Sequence, residues 1–391
     1  MPQQFTLDYI RVYQLPPNWI GSNSNALWSY RPNWTNSVLP AYGGPVVFAA
    51  TNSVNCFIDT TFTQAGLSFY DNAGSDVIAA TNGGMLVLNG NGIFNYSTNP
   101  QTINAPIALA ANEMFNADPG GLNVNGAISG PGFGLTKTGS GTLSASGADT
   151  YSGPTTILGG TLALASGGSL QTSGINLAAG ATFDISALGA YTFGGSVALA
   201  ASGTGLVPGA SAACLKGGSG SVIYLNANPI NLQYDGADPA LYVSQGTLSL
   251  AANPFVINSA NGQALPVGTY PIIKQAVGNI VSSGPYPAAA GTAVGAGQAG
   301  LIVVTNNLVN LVIVPGSTMS LTVSISYGAK TLPLTFSGAA TNLSYRIQAN
   351  SNLATTNWIT LYASTGSNPP PVIVDPGAST NASRFYRAVS P

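Results

Sequence analysis

The side chains that could do chemistry are few, and the ones missing decide most. The chain holds no histidine, which removes Ser–His–Asp and Cys–His constellations and imidazole metal sites together. Its one glutamate is Glu113, so the paired-glutamate arrangement of glycosidases is absent and only a pair of aspartates could replace it. The remaining carboxylates are scattered singly. Asp71 with Asp76, and Asp235 with Asp238, come nearest to a calcium loop, but they lack further oxygen ligands at regular spacing. Turn-forming aspartate is the reading that spacing favours. Cys56 and Cys214 stand far apart in sequence; a disulfide is open to them in an oxidising compartment, and burial as two small apolar residues is the default. No cofactor and no metal are implied. Trp19, Trp28, Tyr30 and Trp34, with Tyr42 close by, are the candidate carbohydrate-stacking residues, since aromatic faces offer apolar, polarisable surface. The competing role for the same rings is a hydrophobic plug. Trp358, Tyr362, Phe385 and Tyr386 read as core of a small sandwich, and Lys137 as an exposed charge that discourages edge pairing.

Composition narrows the partners. Only 5% of the 391 residues are charged and 45% are hydrophobic, against about 25% charged in ordinary soluble domains. That excludes a disordered tract, which pairs low hydrophobicity with high charge. With a net charge of −2 no basic footprint exists, so nucleic acid is not an expected partner. No apolar window reaches the ~18 residues of a membrane span, so no membrane insertion is expected. The first residues lack the basic and apolar regions of a signal peptide.

The elements that must position these side chains are short strands. Apolar residues recur in alternating pairs, among them Leu143/Ala145, Leu162/Leu164, Ile175/Leu177, Phe183/Ile185, Leu248/Leu250 and Leu311/Ile313. Glycines punctuate the intervals, as they do where a backbone turns at positive φ. Repetition of this kind suits a solenoid better than a sandwich of long strands. Roughly a dozen coils stacked at about 4.8 Å would extend on the order of 60 Å. A coil end exposes unpaired edges and an apolar interior, so the Trp-rich opening reads as a cap. After Pro315 the strands lengthen, as in Leu343–Ile347, Trp358–Tyr362 and Arg384–Val389.

Three resemblances follow from these residues. The run Gly-Leu-Thr-Lys-Thr-Gly-Ser-Gly-Thr-Leu from Gly134, then Gly-Ala-Asp-Thr-Tyr-Ser-Gly-Pro-Thr-Thr from Gly147, then Gly-Gly-Thr-Leu-Ala-Leu from Gly159 resembles the passenger-associated (autotransporter-associated) β-strand repeat. It implies a right-handed parallel β-helix on a bacterial surface or in the medium, and no reaction. Residues Pro2 to Gln14 resemble the last strand of glycoside hydrolase family 16, without that family's catalytic Glu-x-Asp-x-x-Glu. Tyr345-Arg346-Ile347-Gln348-Ala349 and Arg384-Phe385-Tyr386-Arg387-Ala388-Val389 resemble a fibronectin-type-III-like module, not an outer-membrane translocator barrel.

The expected fold is therefore all-β: a right-handed parallel β-helix (solenoid) followed by a small antiparallel β-sandwich. The expected divisions are an orphan strand at 1–16, a β-helix at 17–315 with its repeat motif at 132–164, and the sandwich at 320–391. The function expected is a secreted or cell-surface, non-catalytic structural and adhesive solenoid, exported by a signal this chain does not contain. The alternatives are the non-catalytic tail of a secreted polysaccharide (β-glucan) hydrolase, a carbohydrate-binding module and, last, a β-helix lyase or hydrolase. Polysaccharide or a cell-surface glycan is the partner class these readings share.

Overall fold

Coil follows coil along most of the chain, each coil contributing a strand to each of two long faces and some coils a short strand to a third. This is a computed structural model, and it describes residues 15–21, 25–316, 320–323, 332–337, 344–365, 373–375, 377 and 384–389. Of the orphan strand expected over residues 1–16, residues 1–14 lie outside the described residues, and Leu15 and Pro16 are not in a strand. The repeat region shows the path most simply. Leu135–Thr138 lies on the first face, Thr142–Ala145 on the second and Ala148–Asp149 on the third. The next coil places Thr155–Ile157, Gly160–Leu164 and Ser169–Leu170 against those three in parallel register. The first face is a 13-stranded sheet and the second a 12-stranded one, while the third is broken into shorter sheets. The result is a parallel β-solenoid of about nine turns.

The coils are fewer than expected because they lengthen along the chain. Asn176 donates to Thr156 one coil away at a separation of 20 residues. Further on, Asn226 donates to Phe193 across 33. The extra residues form corner loops such as the one from Gly203 to Ala213, which adds length without adding a rung.

Period-two alternation determines what faces inward. On the first face the inward column runs Val46, Leu67, Ile93, Phe115, Lys137, Ile157, Leu177, Ala201, Leu232 and Ile257. Every member is buried except for slight exposure at Leu177 and Ala201. Apart from Phe115 and Lys137, the column stacks aliphatic side chains at the strand spacing, and burial of a large one such as Leu or Ile contributes roughly 1.5–3 kcal/mol.

Glycines serve the corners, where a neighbouring coil passes too close for a side chain. Gly139 adopts φ 79°, and a Cβ there would lie 2.6 Å from that of Asp118. At Gly141 a Cβ would collide with the Ala117 carbonyl of the preceding coil.

Residues 313–391, together with 295–299, form a second compact unit. Its strands are antiparallel. Leu332–Ser337 lies between Ser320–Val323 and Ile373–Asp375, and Ser344–Asn350 lies between Ile359–Thr365 and Phe385–Val389. A buried Asp375 accepts from Arg384 Nε at 2.6 Å and from the Tyr386 hydroxyl at 3.1 Å. Arg387 sits 4.1 Å from the centroid of the Trp358 ring, a cation–π contact. Trp358, Tyr362, Phe385 and Tyr386 are half-buried, whereas Ile347, Ala349 and Asp375 are among the described residues of this unit with no exposed surface.

Candidate functional site

The candidate stacking residues fall at the start of the solenoid, and three of the four face inward. Trp19, Trp28 and Trp34 have no exposed surface. Trp19 meets Trp34 edge-on at 5.0 Å, and Trp28 meets Trp34 edge-on at 5.3 Å and Phe62 at 5.4 Å. Such edge-to-face pairs add to area burial. The Trp34 indole donates to the Trp28 carbonyl at 2.8 Å, and the Trp28 indole to Cys56 Sγ at 3.2 Å. These rings close the first coil, and no face of them is open to a sugar. Tyr30 is 41% exposed, while the tryptophans beside it in sequence are enclosed.

Lys137 overturns the expectation of an exposed charge. It is completely buried, in the inward column between Phe115 and Ile157. Its ammonium donates to the carbonyls of Thr138 at 2.8 Å, Gly139 at 2.9 Å and Gly159 at 3.0 Å. Three protons thus meet three corner carbonyls, two on its own coil and one on the next. Burial pulls its pKa down to about 8, and the Asp118 charge opposes that fall. The ammonium stays protonated at neutral pH and ties the corner of one coil to the next.

The other ionisable residues in the motif turn inward too. Asp149 is buried and its Oδ1 accepts from Ile128 N at 2.8 Å. Burial raises its pKa to about 7, against the lowering effect of that hydrogen bond. Tyr151, also buried, shares a 2.7 Å hydrogen bond with Thr155 Oγ1. Nearer the start, Asp76 accepts from Val54 N at 3.0 Å and is raised to about 6, mainly by burial. Glu113 Oε1 accepts from Gly90 N at 2.6 Å, and burial raises this carboxyl as well. Asp149, Asp76 and Glu113 are each held through one carboxyl oxygen by the backbone of an adjacent coil.

The remaining candidates do not converge. Asp235 accepts from the amides of Ala237 and Asp238 at 2.9 and 3.0 Å, the geometry of an Asx turn. Among the described residues no three His, Cys, Asp or Glu side chains meet at a point where a metal could sit. Cys56 and Cys214 are free and buried. Burial pushes the Cys56 thiol up to about 12, which leaves it without thiolate reactivity at neutral pH.

What sequence reading misses lies on the outside of the first face. Its outward positions from Met114 onward are Thr136, Thr156, Asn176, Ala200, Asn231 and Val256, in one continuous column. None carries a charge. At one step an amide bridges successive rungs, where Asn176 donates to Thr156 at 3.1 Å. On the rungs before this column the polar run gives way to aromatic rings: Phe94 and Tyr96 lie outward, with Tyr96 51% exposed. The detectable signal is an inversion of the usual pattern. In Ile93-Phe94-Asn95-Tyr96 the polar Asn95 is buried and the aromatic Tyr96 is not.

With this geometry described, comparison with known proteins adds one match. The family model of the passenger-associated-transport-repeat matches residues 135–164. Those residues comprise the coil pair that contains Lys137, Asp149 and Tyr151. No curated protein and no solved structure matches the chain.

Proposed function

We propose that the chain is an exported, non-catalytic structural and adhesive β-solenoid of the kind found in autotransporter passengers. The observation that carries this reading is the passenger-associated repeat at 135–164 seated as two regular rungs within an uninterrupted stack of parallel strands. Its ionisable groups support the same reading, because Lys137, Asp149, Asp76 and Glu113 are buried and hold backbone groups within the solenoid rather than facing solvent. A continuous hydrogen-bonded ladder presents whatever it carries at a fixed distance and resists proteolysis. In this reading the solenoid ends near Pro315, and the C-terminal antiparallel unit is a fibronectin-type-III-like module.

Surface labelling of intact cells that make the protein naturally tests the location. The expected result is labelling of the chain on the cell or its recovery from the medium, and confinement to the cytosol overturns the reading. Incubation of the purified chain with β-glucan, pectin and alginate tests the absence of catalysis. The expected result is no new reducing ends and no unsaturated products.

A further inference from the structure

We propose that a groove on the outer first face, floored by Gly66 and Gly92 and walled by Phe94, Tyr96 and Met114, binds a neutral polysaccharide. The groove arises from the register. Pro45, Gly66 and Gly92 occupy successive outward positions, and Met114 follows on the next rung, preceding Phe115 as Gly92 precedes Ile93. Two successive glycines leave two rungs without outward side chains. They are held to glycine by their surroundings. Gly92 adopts φ 84°, and a Cβ there would collide with the Met114 carbonyl. A Cβ at Gly66 would collide with the Gly92 carbonyl. The depression so formed has a volume of about 400 Å³.

Its wall is aromatic for a reason that lies inside the solenoid. Asn95 points inward, where its amide donates to the carbonyls of Asn99 at 2.9 Å and Gly121 at 2.7 Å. Alternation then forces Phe94 and Tyr96 out. Their rings stack with centroids 5.9 Å apart at an interplanar angle of 21°, so each ring braces the other at the wall of the groove. Tyr70 is 44% exposed and follows Phe69 as Tyr96 follows Asn95, its register partner, so a further ring stands on the adjacent rung. Burying this much aromatic surface is favourable for any ligand with an apolar face.

The chemistry of the lining selects the ligand. Ser68 and Asn91 offer neutral hydrogen-bonding groups beside the rings, and among the described residues no charged side chain lines the depression. Glu113, the nearby carboxylate, is buried and holds Gly90 N from within. The column of Thr136, Thr156 and Asn176 continues the uncharged surface away from the groove. A hydroxyl-rich, uncharged chain of pyranoses fits both features, since its C–H faces stack on rings and its hydroxyls pair with amides. An anionic polymer finds no cation in this lining. A second copy of this chain would dock by strand edges, whereas the groove lies on the face of a sheet whose backbone is already paired.

The proposal does not depend on the surface-protein reading, because binding in vitro is read independently of cellular location. The test is electrophoresis of the intact chain in native gels containing mixed-linkage β-glucan, xyloglucan or galactomannan, with polygalacturonate as the charged comparison. Retardation is expected in at least one neutral gel. Tyr96→Ala is expected to weaken it at least tenfold, and Tyr42→Ala, which removes a ring outside the groove, to leave it unchanged. Tyr96 is half exposed, so Tyr96→Ala is expected to keep the wild-type melting curve, and Phe94→Ala serves as the second variant. Absence of retardation in every neutral gel, retardation that survives Tyr96→Ala, retardation only by polygalacturonate, or concentration-dependent self-association that Tyr96→Ala abolishes would each overturn the proposal.

Discussion

The coils of the repeat and the coils that follow it trace the same three-faced path with different interiors. Within 135–164 the interior holds an ammonium, a carboxyl, a phenol and a threonine hydroxyl, all buried. Across the later coils the equivalent column is Leu177, Ala201, Leu232 and Ile257. Polar work there falls to neutral amides at the corners. Asn228 donates to the Gly194 carbonyl at 2.7 Å, Asn253 to Asn228 at 2.8 Å, and Gln275 to Gly246 at 2.7 Å and Val277 at 2.9 Å. Both regions face one problem: a corner breaks the ladder and strands carbonyls that water cannot reach. The short coils meet it with a charged donor reaching from the sheet, whereas the longer coils bring an amide from the loop itself. Between these two regions, the charged donor belongs to the shorter coils.

Removal of Lys137 should break the comparison most severely. Lys137→Ala strands three corner carbonyls at once, and with charge-assisted bonds contributing roughly 1.5–3 kcal/mol each the loss should be about 4 kcal/mol or more. Urea denaturation of the intact chain reads it. A loss below about 1 kcal/mol would mean that the corner does not need its cation.

The second test uses pH. The folded-state pKa of Asp149 lies above its ordinary value, at about 7, so the folded chain retains a proton that the unfolded chain releases. Stability from this group is fully present below the ordinary value of 3.8 and is lost as pH rises through about 7. Asp76, raised to about 6, acts in the same direction over a narrower window. The combined loss should be on the order of 7 kcal/mol at most between about pH 4 and 8, because each tenfold gain in proton affinity on folding is worth about 1.4 kcal/mol. Asp149→Asn should flatten the upper part of that profile, and an unaltered slope would place the titration elsewhere.

Gln275→Ala sharpens the contrast from the other side. It removes two neutral donors, so the expected cost is about 1–2 kcal/mol, with no change in pH dependence. A cost equal to that of Lys137→Ala would erase the distinction between charged and neutral corners. The smallest effect belongs outside: Asn231→Ser on the outward column should shift stability by less than ~0.5 kcal/mol. A larger shift would show that the external ladder supports the fold.

Much of this is legible in the chain, though not always in the right sense. Alternation in Leu135-Thr136-Lys137-Thr138 already assigns Lys137 to the side of Leu135, yet lysine's usual place at a surface points the other way. The tryptophans leave two roles open, stacking platform or plug, and their enclosure by Phe62 and Cys56 is a matter of contacts between coils. Phe94 and Tyr96 escape notice because the bond that turns them outward runs from Asn95 to Gly121, one full coil away.

Local chemistry, by itself, determined the all-β class, the solenoid and the repeat, because period-two alternation and glycine at turns are properties of a few consecutive residues. It also determined that the surface would be polar and nearly uncharged, since composition admits no other. Only the stacking of coils decided which polar groups lie inside. A side chain's environment in a solenoid comes from residues one turn above and below, about 4.8 Å away through space but 20 or more positions away in sequence. The carbonyls that hold Lys137 and the glycines that open the groove become neighbours only when one rung lies on the next.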